Sequence, residues 1–182
     1  MNKARRNIVA QEHMKADDVL DTCGITQPPV PIESIPAAFG IELCELPASD
    51  DIFGAIVREG NRVLIAVNPA QHVHRQRFTI AHELGHFFCH PSRAEHVDRD
   101  FRIHWRNRES SQGINLEEIE ANRYAAELLM PERFLRQDLA QYSDLDEHTV
   151  KTLSARYRVS GTAMKFRLIN LGILPPDWDP TI

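Results

Sequence analysis

The chain has 182 residues, 42% hydrophobic and 26% charged, with a formal net charge of −5. That size suits one compact domain with at most a small appendage, and no run approaches the roughly 18–20 apolar residues of a membrane span. The acidic balance excludes nucleic-acid coating by the whole surface; the three cysteines (Cys23, Cys44, Cys89) are too widely spaced for a disulfide framework or a cysteine zinc ribbon, and with a polar N-terminus they fit a reducing cytoplasm.

Residues 1–22 read as one amphipathic helix, with Ile8, Met14 and Val19-Leu20 near helical spacing and Cys23-Gly24 closing it. Pro28, Pro29 and Pro31 make residues 26–35 an extended connector, and Ser34 to Phe39 forms a small helix stopped by Gly40. Ile41 to Leu46 alternates apolar and polar residues as a strand does. Ile52 to Val57 and Arg62 to Val67 are apolar, β-branched runs joined across Gly60-Asn61, a hairpin dipeptide, which predicts a small antiparallel sheet. From Gln71 to Cys89 the period becomes helical, with Phe78, Ala81, Gly85 and Phe88 at intervals of three and four, and Pro91 ends it. Residues 91–113 show no period and read as a long loop. A second long helix runs from Leu116 to Met130 and stops at Pro131. Three shorter helical segments follow: Glu132 to Gln141, Asp146 to Val159 and Gly161 to Gly172. The break at Val159-Ser160-Gly161 is of helix-turn-helix type. The mixture is an α+β pattern with a helical tail.

His82-Glu83-Leu84-Gly85-His86 carries the chemistry. Residues four apart share one helix face, so the two imidazoles can converge on one metal ion. Glu83 then lies beside the metal's open position, where a carboxylate can take a proton from water and pass it to a leaving amine. Zinc needs a third protein ligand. A metzincin would supply glycine at position 89 and histidine at position 92; Cys89 and Ser92 exclude that class. The other solution is a carboxylate from the second helix, where Glu117, Glu118 and Glu120 are available. Glu118 is favoured because Asn122, one turn on, can hydrogen-bond the outer nitrogen of His82 and fix its tautomer. Glu120, about 200° around that helix, is the runner-up, with Glu117 and Glu127 behind it. His90 extends the metal face by one turn but sits at the fraying end before Pro91. His72 and His74 precede the helix, and His96 and His104 fall in the long loop. His96, His104 and Tyr124 are candidate donors to an oxyanion.

Two separated segments, Phe78-Thr79-Ile80-Ala81-His82-Glu83-Leu84-Gly85-His86 and the run from Glu118 to Pro131, resemble the ImmA/IrrE family of zinc metallopeptidases. The run from Leu153 to Ser160, with Ala163, Arg167-Leu168 and Leu171-Gly172, is similar to the family's helix-turn-helix region. The resemblance implies a zincin-like peptidase domain over residues 1–131, a helix-turn-helix-like region over 132–175 and a tail over 176–182. It implies one catalytic Zn2+ held by His82, His86 and Glu118, with Glu83 as catalytic base. It also implies a cytoplasmic endopeptidase whose substrate is a separate repressor chain of the Xre/Cro type, cut to relieve repression.

A peptide substrate is expected along an edge strand above the metal helix, with Ile52 to Val57 or Arg62 to Val67 as that edge and Gly54 allowing close backbone approach. Arg93, Arg99, Arg102, Arg106 and Arg108 in the long loop are nearly balanced by Glu95, Asp98, Asp100 and Glu109, as in a solvated loop. Residues 148–172 hold Lys151, Arg156, Arg158, Lys165 and Arg167 and no acidic residue, a local positive patch of the tail able to face phosphates, although residues 131–182 as a whole balance at seven basic and seven acidic. Met164, Phe166 and Leu168 occupy much of its last helix, which favours packing or protein docking. The competing reading is a DNA-binding regulator with a structural or vestigial metal site.

Overall fold

A computed structural model describes residues 13–46, 52–60, 62–91, 95–98 and 115–178. Helix α1 spans Ala16–Thr22 and not the whole of residues 1–22. His13 stands at φ 67°, in the left-handed region that a right-handed helix cannot pass through, and its N–H donates to Phe88 O at 2.8 Å. The expected start over residues 1–12 lies outside the described residues. A 3-10 turn at Ile32–Ser34 leads into α2, Ile35–Ala38, and Gly40 at φ 69° turns the chain into β1, Ile41–Glu45.

Strands β2, Gly54–Glu59, and β3, Arg62–Val67, form the expected antiparallel hairpin, with Gly60 at φ 61° in its turn. The sheet as a whole is mixed, because β1 pairs with β3 in parallel, Ile41 opposite Val63 and Glu45 opposite Val67. Alternation within a strand reports which face is buried but not the partner's direction, so the antiparallel expectation for β1 had no sequence signal to correct it. A fourth strand, β4, Glu95–Asp98, lies within the stretch expected to be loop and pairs antiparallel with β2. The order is β1-β3-β2-β4. Neither β2 nor β3 is therefore the free edge expected for a substrate: β3 lies between β1 and β2, and β4 covers β2.

Helix α3, Val73–Cys89, crosses the sheet and packs along α4, Asn115–Leu129. The His72 ring nitrogen Nδ1 accepts the His74 N–H at 3.2 Å and caps α3, which assigns both histidines to the helix start. Phe88 packs edge-on to Phe39 and stacks on Tyr124, joining α2, α3 and α4 in one apolar core.

Helices α5, Glu132–Leu139, α6, Glu147–Tyr157, and α7, Gly161–Asn170, complete the chain. Asp146 and Ser160 cap α6 and α7 by accepting the N–H groups of Thr149 and Ala163. Leu135, Leu153, Tyr157, Met164 and Leu168 join the same hydrophobic cluster as Leu84 and Ile65. Much of the tail's positive charge is engaged internally. Arg156 Nε donates to Asp138 Oδ2 at 2.7 Å, Lys165 lies over the Trp178 ring, and buried Arg167 donates to Met130 O at 3.0 Å. Among the described residues no helix is long and apolar enough to cross a membrane.

Candidate metal centre

His82 and His86 lie one turn apart on α3 and are both fully buried. Their Nε2 atoms are 3.0 Å apart, with the two rings nearly perpendicular at 78°. Glu118, in the first turn of α4, reaches them from the facing helix: its Oε2 is 3.3 Å from His82 Nε2 and its Oε1 3.5 Å from His86 Nε2. Asn122 Oδ1 lies 3.0 Å from His82 Nδ1. An amide oxygen only accepts, so Nδ1 carries the proton and Nε2 presents its lone pair toward the cluster.

The donor set tests whether a cation fits. Four tetrahedral ligands at zinc–ligand lengths of about 2.0–2.1 Å stand about 3.3 Å from one another. The spacing of the two ring nitrogens, 3.0 Å, and the nearest carboxylate oxygen to each, 3.3 Å at His82 and 3.5 Å at His86, lie close to that value. Burial pushes His86 down to about 4, only partly opposed by Glu118, so its ring is neutral near pH 7 as a ligand must be. Among the described residues, His82, His86 and Glu118 are the group of such side chains close enough to share an ion. The residues present fit the metal.

Two small residues set the helix spacing that lets Glu118 reach. A Cβ at Gly85 would lie 2.9 Å from both Cα and O of Ala121, backbone atoms that cannot swing aside. Gly85→Ala is therefore expected to push α4 away and to lower zinc affinity at least about tenfold. Its melting temperature reads opposing effects, since alanine gains about 1 kcal/mol over glycine in helix propensity. Titration with a competing chromophoric chelator reads the displacement of Glu118 directly; unchanged affinity would show that the helix contact does not set the site.

The other candidates lie elsewhere. Glu120 is exposed, its Oε2 3.6 Å from His90 Nε2. His90 Nε2 also lies 3.2 Å from the Glu117 carbonyl, so His90 ties the end of α3 to α4. Glu127 pairs with Arg123 at 2.9 Å. Tyr124 OH donates to Met14 O at 3.1 Å, which commits its proton elsewhere than an oxyanion, and burial raises its phenol above the ordinary range. His96 lies on β4 opposite Ile56, with only its backbone described; His104 and the loop arginines from Arg93 to Arg108 lie outside the described residues. One contributor was missed: Arg58 on β2 donates to the carbonyls of His86 and Phe87, at 3.1 and 3.3 Å, anchoring the last turn of the metal helix. Only its place at the end of an apolar strand hinted at it.

Cys89 ends α3 away from the donor cluster. Burial, reinforced by Glu120 and Glu127, pushes its thiol up to about 11. At pH 8 its thiolate fraction is then about 200-fold below that of an ordinary thiol, and greater thiolate nucleophilicity recovers about tenfold. Iodoacetamide labelling followed by mass spectrometry is expected to run about 20-fold slower at Cys89 than for a small free thiol. Equal rates would contradict the burial.

A peptidase family model described as the IrrE N-terminal-like domain matches residues 37–168, a span that includes both metal-facing helices. The chain belongs to the ImmA/IrrE family. A comparison with curated proteins gave no match. The α+β architecture agrees with the family's zincin-like core, and membership makes this a metallopeptidase-type protein with a site able to hold a metal ion.

Proposed function

We propose that this ImmA/IrrE family member is a zinc endopeptidase that cuts a separate repressor chain of the Xre/Cro type in the cytoplasm. The observation that carries the catalytic part is the convergence of His82, His86 and Glu118 beside fully buried Glu83. Two imidazoles and one carboxylate suit zinc. When bound, the cation supplies the positive charge that draws electrons from the scissile carbonyl and the attacking water. Glu83 takes the proton from that water and delivers it to the leaving amine. Asn122 holds His82 in the tautomer that leaves Nε2 free to ligate. With β2 covered, the outer side of β4 is the sheet edge on the β2 side among the described residues, and an extended substrate segment adds there.

The repressor as substrate rests on the family resemblance. The internally engaged cations of the tail support packing or docking of a protein over DNA contact. The test is co-expression with candidate Xre-type repressors and mass spectrometry of fragments, with and without a strong zinc chelator. Expected are defined fragments that vanish on chelation and return with zinc, while the circular dichroism of the chain persists. That persistence follows because the hydrophobic cluster spans helices and sheet independently of the ion. Unfolding on chelation would mark a structural metal, and a wild-type chain that cuts no repressor would overturn the reading.

A further inference from the structure

Gly54 begins β2 and lies against the helix that carries Glu83. Its backbone is outside the left-handed region, so glycine is required there for space and not for conformation. A Cβ at this position would collide with Thr79 Cγ2 and would stand 3.5 Å from Glu83 Oε1. Thr79 and Glu83 are one turn apart on α3, and both are buried. The close approach that the glycine permits is thus toward α3 on one face of the sheet, whereas the two edges of β2 are paired with β3 and β4.

The entry to β2 is also held firmly in place. Buried Asn68, just after β3, donates from Nδ2 to Ile52 O at 2.8 Å, and its own N–H donates to Phe53 O at 3.0 Å. Its Oδ1 accepts the Ala70 N–H at 2.9 Å, which fixes the amide's orientation. The Arg75 guanidinium lies 4.6 Å over the Phe53 ring and ties the same segment to the first turns of α3. A methyl at position 54 therefore has no soft neighbour on the strand side. The displacement, about 1.5 Å to restore ordinary carbon–carbon contact, falls on the Thr79 side chain and, one turn on, on the Glu83 carboxylate that the same carbon would touch.

We propose that Gly54, clamped by Asn68 and seated on Thr79, is a positioning residue that holds the Glu83 carboxylate at its working place. The inference rests on Glu83 being the proton carrier. It assigns no ligand role to the strand, so zinc binding and proton transfer separate when the contact is disturbed. A misplacement of about 1 Å lowers turnover on the order of 10²-fold.

The test uses zinc alone for affinity and a randomised mixture of quenched fluorogenic decapeptides for turnover, on the full chain. Gly54→Ala is expected to lower kcat about 10²-fold with KM and zinc affinity within about threefold of wild type. Thr79→Ser removes the colliding methyl, so Gly54→Ala/Thr79→Ser is expected to recover at least tenfold in kcat and to regain the melting temperature lost by Gly54→Ala. Should Gly54→Ala fail to fold, the double variant compared with Thr79→Ser alone carries the same information, and kcat values within about threefold support the proposal. Full activity in Gly54→Ala, no recovery in the double variant, or loss of zinc together with activity would each overturn it. Wild type and Glu83→Gln run alongside on the decapeptides and on the co-expressed repressors: if they cleave equally well, or wild type cleaves neither, it is the peptidase reading that has failed and the positioning role falls with it.

Discussion

Glu83→Gln is expected to lower peptide cleavage on the order of 10³-fold while zinc content stays at one ion per chain. The amide has the size and shape of the carboxylate, so the packing around a fully buried side chain is preserved. It cannot take up a proton at neutral pH, and proton transfer is what the proposed reaction asks of Glu83. Glu83 is outside the donor trio of His82, His86 and Glu118, so metal analysis should not distinguish variant from wild type. Glu118→Ala should behave in the opposite way and lose zinc and activity together. The pair separates the peptidase from a DNA-binding regulator with a vestigial site: a regulator would keep its cellular effect in Glu83→Gln. Cleavage within tenfold of wild type in that variant would remove Glu83 from the proton path.

The metal-facing half of the molecule was legible because its chemistry and its periodicity coincide. Histidines at 82 and 86 can share an ion only on a helix, and the surrounding apolar period independently gives a helix. Glu118 was separable from Glu120 by the same arithmetic, since only Glu118 shares a face with Asn122, and the structure brings these two to His82 while Glu120 turns to solvent. The sheet was less legible. Four residues, Glu95–Asp98, form β4, too few and too charged to show a period, and they are ordered by pairing with β2. The run in β2 gave no sign of it: a nearly continuous apolar stretch reports that both faces of a strand are covered, not that both of its edges are paired. Gly54 was visible as a glycine in a strand, but a sequence does not say which side of the strand the close neighbour occupies.

Arg77 shows the same limit at a single residue, and its removal is expected to have the largest effect on stability. Pattern reading places an arginine in a helix on the solvent side, yet Arg77 is 1% exposed. Its Nη1 meets Glu33 Oε1 and Oε2 at 2.8 and 3.1 Å, Nη2 donates to Val30 O at 2.7 Å, and Nε donates to Arg158 O at 3.3 Å. One guanidinium thereby joins the proline-rich connector, the metal helix and the turn between α6 and α7. A lysine has no planar fork to reach all three, so Arg77→Lys should not restore what Arg77→Ala removes. In Arg77→Ala half-exposed Glu33 recovers water and Val30 O keeps the Ile32 N–H, so the cost is not that of a stranded buried charge. What remains is the loss of charge-assisted bonds and the cavity of a large side chain, about 3 kcal/mol, or about 6–12 °C in melting temperature. Arg77→Met refills the volume without the bonds and should fall between the two. Position 77 is about 140° around α3 from His82, so zinc affinity measured well below the transition should change little. Thermal melting of the three variants reads the order, and an Arg77→Ala chain that melts within about 2 °C of wild type would show that the tail is held by its hydrophobic contacts alone.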